Sequence, residues 1–546
     1  MALKIPKSGL TTMLKDGYKH SQGLEEAVYR NIAATKELTE ITRTSLGPNG
    51  RNKMVINHLE KLFVTSDAAT IMRELEVVHP AAKLLVMASQ QQEAEMGDST
   101  NFVVVFAGQL LQEAEYLLRM GLHAAEVIEG YRFALKKALA LAADLTIDTI
   151  TDLHDPAQLR KVVVSSIAAK QYGYEDLLSD LVIKAATEVM PKNTKNFNVD
   201  AIRVVKILGA SIYDSQVVKG MVFARSPDST LQKATKAKVA IFMSGIDVAL
   251  TETKGTVLIK NANEMLDFSK GEEKNLEAAI KQLADAGVKV VVSGSGIGEL
   301  ALHFLNRYNM VVVKVLSKFD IRRLCRVTGA TALTRFGVPM PEEMGYCDVV
   351  EAVEIGSDRC TVFRQDSETT KTATIVLRGG TQNSIDDLER AVDDGVNVIK
   401  AVSKDNRLLA GAGAFEIELA RLLHNVAEST PGLNQYAIQK FADALEVIPR
   451  TLAENAGLDS TEVISKLYAS HQSGDKETGI NIESENNGIL NTKEKQIFDI
   501  FSVKEFAIKQ ATNTALTILS VDQIIMSKAA GGPKVPKQQG NWDEDD

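Results

Sequence analysis

The chain has 546 residues, enough for about three or four domains. At 45% hydrophobic and 24% charged it can bury cores that need neither disulfides nor structural metal. A formal charge of −9 argues against nucleic acid as the main partner. No uncharged apolar run reaches the roughly 18–20 residues of a membrane span.

In chain order, helical periodicity is clear in Leu24–Leu38, Pro80–Glu95, Val103–Met120 and Ala124–Leu145. One hairpin, KMVINHLEKLFVTSD, interrupts them as two β-rich runs around a polar turn. A mixed region spans Ile147 to Val218. Near Gly220 strands and helices begin to alternate, as in KAKVAIFMSG, AIKQLADAG, VKVVVSGSG, LALHFLNRY and MVVVKV, an α/β signature. A strand, TATIVLRGG, and a long helix over Asn383–Val402 follow, and the chain is helical again to about Ser527. The tail AAGGPKVPKQQGNWDEDD combines Gly, Pro and like charges and is expected to be disordered. The order helical, mixed, α/β, mixed, helical suggests domains inserted one within another.

Three glycine-rich segments could offer bare backbone N–H groups to phosphate. They are Leu46-Gly47-Pro48-Asn49-Gly50, Gly97-Asp98-Ser99-Thr100-Asn101 and Gly411-Ala412-Gly413-Ala414, the last two directly ahead of apolar helices. Asp98 would add a hard oxygen suited to magnesium; its plainer reading is a helix cap. No G-x-x-x-x-G-K-[ST] occurs. Gly294-Ser295-Gly296-Ile297-Gly298 misses the dinucleotide spacing by one position and reads as an ordinary strand-to-helix turn. On the helix Asn383–Val402, Ile385, Leu388, Val392, Val396 and Ile399 form one apolar stripe. Asp394 falls nearly opposite it, which reads as a solvated acid unless some event carries that face onto a ligand. The histidines lack metal-site spacing. Cys325, Cys347 and Cys360 are too few for a disulfide framework or a four-ligand zinc site, and fit a reducing compartment. The N-terminal stretch lacks the apolar core of a signal peptide.

LGPNGRNKM, TSDAATI, GDSTN, LRGG…ERAVDDG, GAGAFEIEL and SVDQII resemble, in order and spacing, the motifs of group II chaperonins. The likeness covers essentially the whole chain, and ELEVVHPAAKLLVMAS and the tail GNWDEDD point to the eukaryotic cytosolic branch. The resemblance implies a multidomain α+β and α/β fold. It places a helical equatorial ATP-binding domain at 1–147 and 405–528 and an intermediate domain at 148–219 and 372–404. An α/β apical substrate-binding domain would span 220–371, with a helical lid near 251–274, and 529–546 would be a disordered tail.

It also implies an ATPase using ATP and Mg2+. Asp98 would bind the metal; Gly97, Ser99, Thr100 and Asn101 would cradle phosphates; Leu46, Gly47 and Pro48 would close over the nucleotide. Gly413 and Asp499 would meet the ribose, and Lys170 and Lys504 would stand near the nucleotide. Asp394 would polarise the attacking water, and Asp67 would assist with the water or a bound cation. The implied partners are seven paralogous subunits in a two-ring, sixteen-subunit particle. Unfolded proteins such as actin and tubulin would be its clients, with co-chaperones such as prefoldin, in the cytosol and with no nucleic acid or membrane. The family's G-D-G-T-T is Gly97-Asp98-Ser99-Thr100-Asn101 here, its N-D-G-A-T is Ser66-Asp67-Ala68-Ala69-Thr70, and its proline after the ribose acid is Ile500. Those departures leave a second reading open, a structural ring subunit that binds nucleotide but hydrolyses little of it.

Overall fold

In the computed structural model, residues 19–21, 24–247, 261–366, 371–483 and 488–526 are described. The expected tail at 529–546 and the first part of the expected lid, 251–260, lie outside them.

Both ends of the chain build one helical body. Helices Leu24–Arg43, Pro80–Glu95, Thr100–Arg119 and Ala124–Ala143 pack with Ala414–Ser429, Asn434–Leu445 and Phe501–Leu519 around a single apolar core. Helix Thr100–Arg119 is its axis. Val103 to Ala107, Leu110, Leu111 and Ala114 are fully buried, because the run Phe102–Gly108 is apolar on every side and can only lie among other helices. Phe106 and Tyr131 meet Phe441 edge-on at 5.6 and 5.8 Å, joining the two chain ends. The expected hairpin is there as antiparallel strands Lys53–Ile56 and Leu62–Thr65.

A second core joins helices Pro156–Ala168, Glu175–Val189 and Gln382–Lys404. These helices cover strands Ile202–Leu208 and Ala373–Gly379, which pair in parallel and begin a nine-stranded sheet. Farther along that sheet, Lys233–Phe242, Val288–Ser293 and Val311–Lys314 run parallel. Helices Ala262–Asp285 and Glu299–Arg307 provide the crossovers, as the alternation predicts. The near-miss glycine run is the turn between Val288–Ser293 and Glu299–Arg307.

The described part of the expected lid segment belongs to a longer helix. The segment expected to end at Lys274 continues as a single helix to Asp285, and Leu276, Ile280 and Leu283 sink into the α/β core. Gly271 lies inside that helix. An interior glycine costs a helix only about 1 kcal/mol, which the buried half outweighs.

In the helical body Glu418 accepts from Arg421 at 2.7 and 3.0 Å and hydrogen-bonds buried His471 at 3.0 Å. Burial alone would raise its carboxyl, but His471 and Arg421 draw it down to about 2. A depressed carboxylate adds stability that is complete above its unfolded value of 4.5 and is lost as pH falls toward 2. Glu418→Gln is therefore expected to destabilise by up to about 3 kcal/mol at pH 7. The difference should shrink steadily below pH 4.5, as read by urea unfolding across that range. An equal deficit at pH 7 and pH 3 would mean that packing, not charge, holds Glu418.

Candidate functional site

The predicted residues converge where the two cores meet. Strand Arg407–Ala410 pairs with Phe498–Ile500 and with Asp148–Thr149, setting Asp499 opposite Leu409. The same strand runs directly into the Gly411–Ala414 loop, where Gly411 N donates to Ile497 O at 3.0 Å, two residues before Asp499. Gly413 takes φ +78° and caps helix Ala414–Ser429. Asp98, Ser99, Asp499 and Lys504 line one cleft with Val162, Ser165 and Phe498. A roomier recess, lined by Asp144, Phe415, Glu418 and Lys476, contains none of the predicted residues.

Asp98 is not the helix cap that its position suggests. The N-cap of Thr100–Arg119 is Ser99, which makes no side-chain capping bond. The first-turn N–H groups of a helix have no partner within it, so this end is electropositive and uncapped. The Asp98 carboxylate accepts from Ser99 N at 2.5 Å and from Ser166 Oγ at 3.0 Å. Gly97, at φ +76°, lets the turn pass against Asn397; a Cβ there would stand 2.4 Å from that side chain. Ser99 adopts φ +63°, a left-handed conformation that costs an L-residue about 1–2 kcal/mol. Ser99→Gly is accordingly expected to stabilise the chain by about 0.5–1 kcal/mol after allowing for the freer unfolded state. A urea midpoint that falls or stays put would show that the serine side chain contributes more than its backbone costs.

Asn101 does something the sequence did not announce. Its Oδ1 accepts from Ala68 N at 2.7 Å, and its Nδ2 donates to Ser45 O and Ser66 O at 3.0 and 3.3 Å. That side chain ties the helix start to the Leu46–Pro48 turn and to the Asp67 turn. Asn455 fastens the same loop from the other side, donating to Leu46 O at 2.9 Å.

The acids meet at one ammonium. Lys170 Nζ lies 3.0 Å from Asp67 Oδ1 and also pairs with Asp394. Asp67 caps helix Ala68–Glu74 through Thr70, and its Oδ1 accepts from Thr100 Oγ1 at 3.1 Å. Burial opposes every charge here. Lys170 nevertheless stays charged, its pKa raised by Asp394, Asp67 and Asp98. Burial would raise Asp67, but Lys170 and Thr70 hold it well below the usual range. Asp98 and Asp394 are driven up, chiefly by burial, against the pull of Lys170.

Asp394 corrects the reading from periodicity. It is 7% exposed, not solvated. Helix Gln382–Lys404 is covered on both sides: its apolar stripe lies in the second core, while Asp387, Asp394 and Asn397 face the helical body.

Lys504 is buried over the Phe102 ring, its Nζ 2.6 Å from Glu416 Oε1 and 3.1 Å from Asp499 Oδ2. It supports Asp499 from within the body, and Glu416, fully buried, had no sequence signal. The described residues hold no ready-made cluster of three or more metal-ligating side chains. Two buried carboxylates pair with one ammonium, however, and a third, Asp98, lies within its field. That surplus of negative charge, beside an uncapped helix start, fits a divalent cation that arrives with phosphate oxygens as its other ligands.

A helical body closed from both chain ends, an inserted α/β unit, and an acid set at the joint between cores are what the likeness to chaperonins led one to expect. The TCP-1/cpn60 chaperonin family model matches residues 38–529, and the chain belongs to that family. Within it, the chain is similar to theta subunits. It is 56% identical over 546 residues, the whole of both chains, to a protein named probable T-complex protein 1 subunit theta from Schizosaccharomyces pombe. It is 54% identical to T-complex protein 1 subunit theta of Dictyostelium discoideum, over 98% of this chain and all of that one. The Homo sapiens protein of that name is 53% identical across both full lengths.

Proposed function

We propose that this chain is an ATP-hydrolysing subunit of a hetero-oligomeric cytosolic chaperonin that encloses and folds non-native proteins. The observation that carries the reading is the placement of Asp394 beside Lys170 and Asp67, next to the uncapped helix start at Ser99.

In this reading the N–H groups at the start of Thr100–Arg119 donate to phosphate oxygens, and Asp98 holds Mg2+. When bound, that ion would offset the charge of the phosphates. The Gly413 loop and Asp499 orient the ribose. Asp394 accepts a hydrogen bond from the attacking water, and Asp67 holds Lys170 in place beside it. Because Asp394 comes from the second core and Asp98 from the first, the set is complete only when the two are seated together. Hydrolysis is thereby coupled to conformation.

Exposed apolar side chains supply places for partners. Met54, Ile56 and Leu59 on the hairpin are 68%, 66% and 72% exposed, and an open hairpin edge readily takes a strand from a neighbouring subunit. Leu316 and Phe319 of the α/β unit, at 61% and 75% exposed, suit unfolded chains such as those of actin and tubulin, delivered with prefoldin. The second reading, a ring member that hydrolyses little, is favoured by one observation, the strained Ser99 backbone at the phosphate turn. Native mass and subunit composition test the assignment. A megadalton double ring of eight related chains is expected; a lone 59.4 kDa ATPase would overturn it.

A further inference from the structure

Asp387 lies two helical turns before Asp394 on the same face of Gln382–Lys404, and it too is 7% exposed. A buried carboxylate needs partners. Two come from other segments. Gln171, next to Lys170, donates its Nε2 to Asp387 Oδ2. Thr65 Oγ1, on the hairpin strand Leu62–Thr65, donates to Asp387 Oδ1 at 2.7 Å. Arg390 of the same helix stands 3.5 Å away.

The Thr65 hydroxyl has a second task. Its oxygen accepts from the backbone N–H of Asp67 at 3.1 Å. One hydroxyl therefore links the helix that carries Asp394 to the turn that carries Asp67. The apolar stripe of that helix packs into the second core, which takes in Leu408, Phe498, Ile500 and Val503 but no residue of the hairpin or the Asp67 turn, and so does not register Asp394 against that turn. That register rests on its inner face, where Asp387 meets Thr65, Lys170 joins Asp394 to Asp67, and Asn397 abuts Gly97.

The geometry points to Thr65 and Asp387 as a polar latch that seats Asp394 against Asp67, and so as positioning residues for hydrolysis; this rests on the proposed ATPase reading. Neither touches the nucleotide-binding loops' donors, so losing the latch should slow the chemical step and spare binding.

The test uses the full-length chain in its native assembly, with MgATP affinity and single-turnover hydrolysis at this chain's own site measured separately. Thr65→Val keeps shape and removes the hydroxyl. It is expected to lower hydrolysis by about tenfold or more, as for loss of a hydrogen bond to a charged group, with affinity within about twofold. Thr65→Ser restores the hydroxyl and should recover most of the rate. Asp387→Asn, which keeps an acceptor for Thr65 but loses the charge, should fall between wild type and Thr65→Val. Asp394→Ala is run alongside. Thr65→Val at the wild-type rate, with Asp394→Ala inactive, overturns the latch and leaves the ATPase reading standing. A Thr65→Ser rate as low as that of Thr65→Val overturns it as well, because the hydroxyl is then not the operative group. Wild-type rates in all variants, Asp394→Ala included, overturn both.

Discussion

Asp394→Ala is expected to bind MgATP nearly as well as wild type while hydrolysis at its own site falls by roughly 10²–10⁴-fold, the usual cost of losing a positioned proton acceptor. The Gly97–Asn101 turn and the Gly413 loop, proposed to hold the nucleotide, both belong to the helical body, so binding is not expected to need Asp394. Its carboxylate, raised by burial and by the neighbouring Asp98 and Asp67, is an acceptor held in a crowded acidic setting. A divalent cation held nearby would pull that balance toward the ionised form, against the phosphates' own charge. Other subunits of an assembly carry their own sites, so total turnover should fall only in part. The measurement must therefore resolve this chain's nucleotide. Unchanged hydrolysis there would return Asp394 to a structural partner of Lys170.

Asp98→Ala is expected to act on the other side of the divide, weakening nucleotide binding itself. Its two hydrogen bonds, from Ser99 N and Ser166 Oγ, leave lone pairs for a cation, and burial gives the bare carboxylate a strong incentive to find one. Affinity for MgATP should drop by at least roughly tenfold, the low end of what even an outer-shell loss costs a metal site. Affinity for ATP in the presence of chelator should change little. Calorimetric titration with and without magnesium separates the two, and equal losses in both would show that Asp98 shapes the turn without holding the ion.

Much of this was legible in the sequence. Helix Pro80–Glu95 has the expected bounds, and the hairpin and the parallel α/β strands stand where alternation placed them. The glycine segments stood out as bare backbone, and the structure uses Gly97, just before helix Thr100–Arg119, and Gly413, the cap of Ala414–Ser429, at positive φ. Asp394 was misread for a physical reason. A helix's period reports its apolar stripe, and a polar face buried by pairing with Thr65 and Lys170, hundreds of residues away in sequence, has the same pattern as one in water. Glu416, Ser166 and Asn455 left no trace because each acts only through long-range bonds. Lys504 was expected near the nucleotide; that it lies over Phe102 between Glu416 and Asp499 depends on a core built from both chain ends.

The most direct measurement is the identity of the nucleotide in the cleft between Asp98 and Asp499 after one turnover of the assembled protein, read from density at this subunit. ADP in the wild type, with a cation against Asp98, and intact ATP in Asp394→Ala are the results expected of a hydrolysing site completed by the second core. Intact ATP in both, with the rest of the assembly turned over, would contradict it and leave this chain as a nucleotide-holding member of the ring.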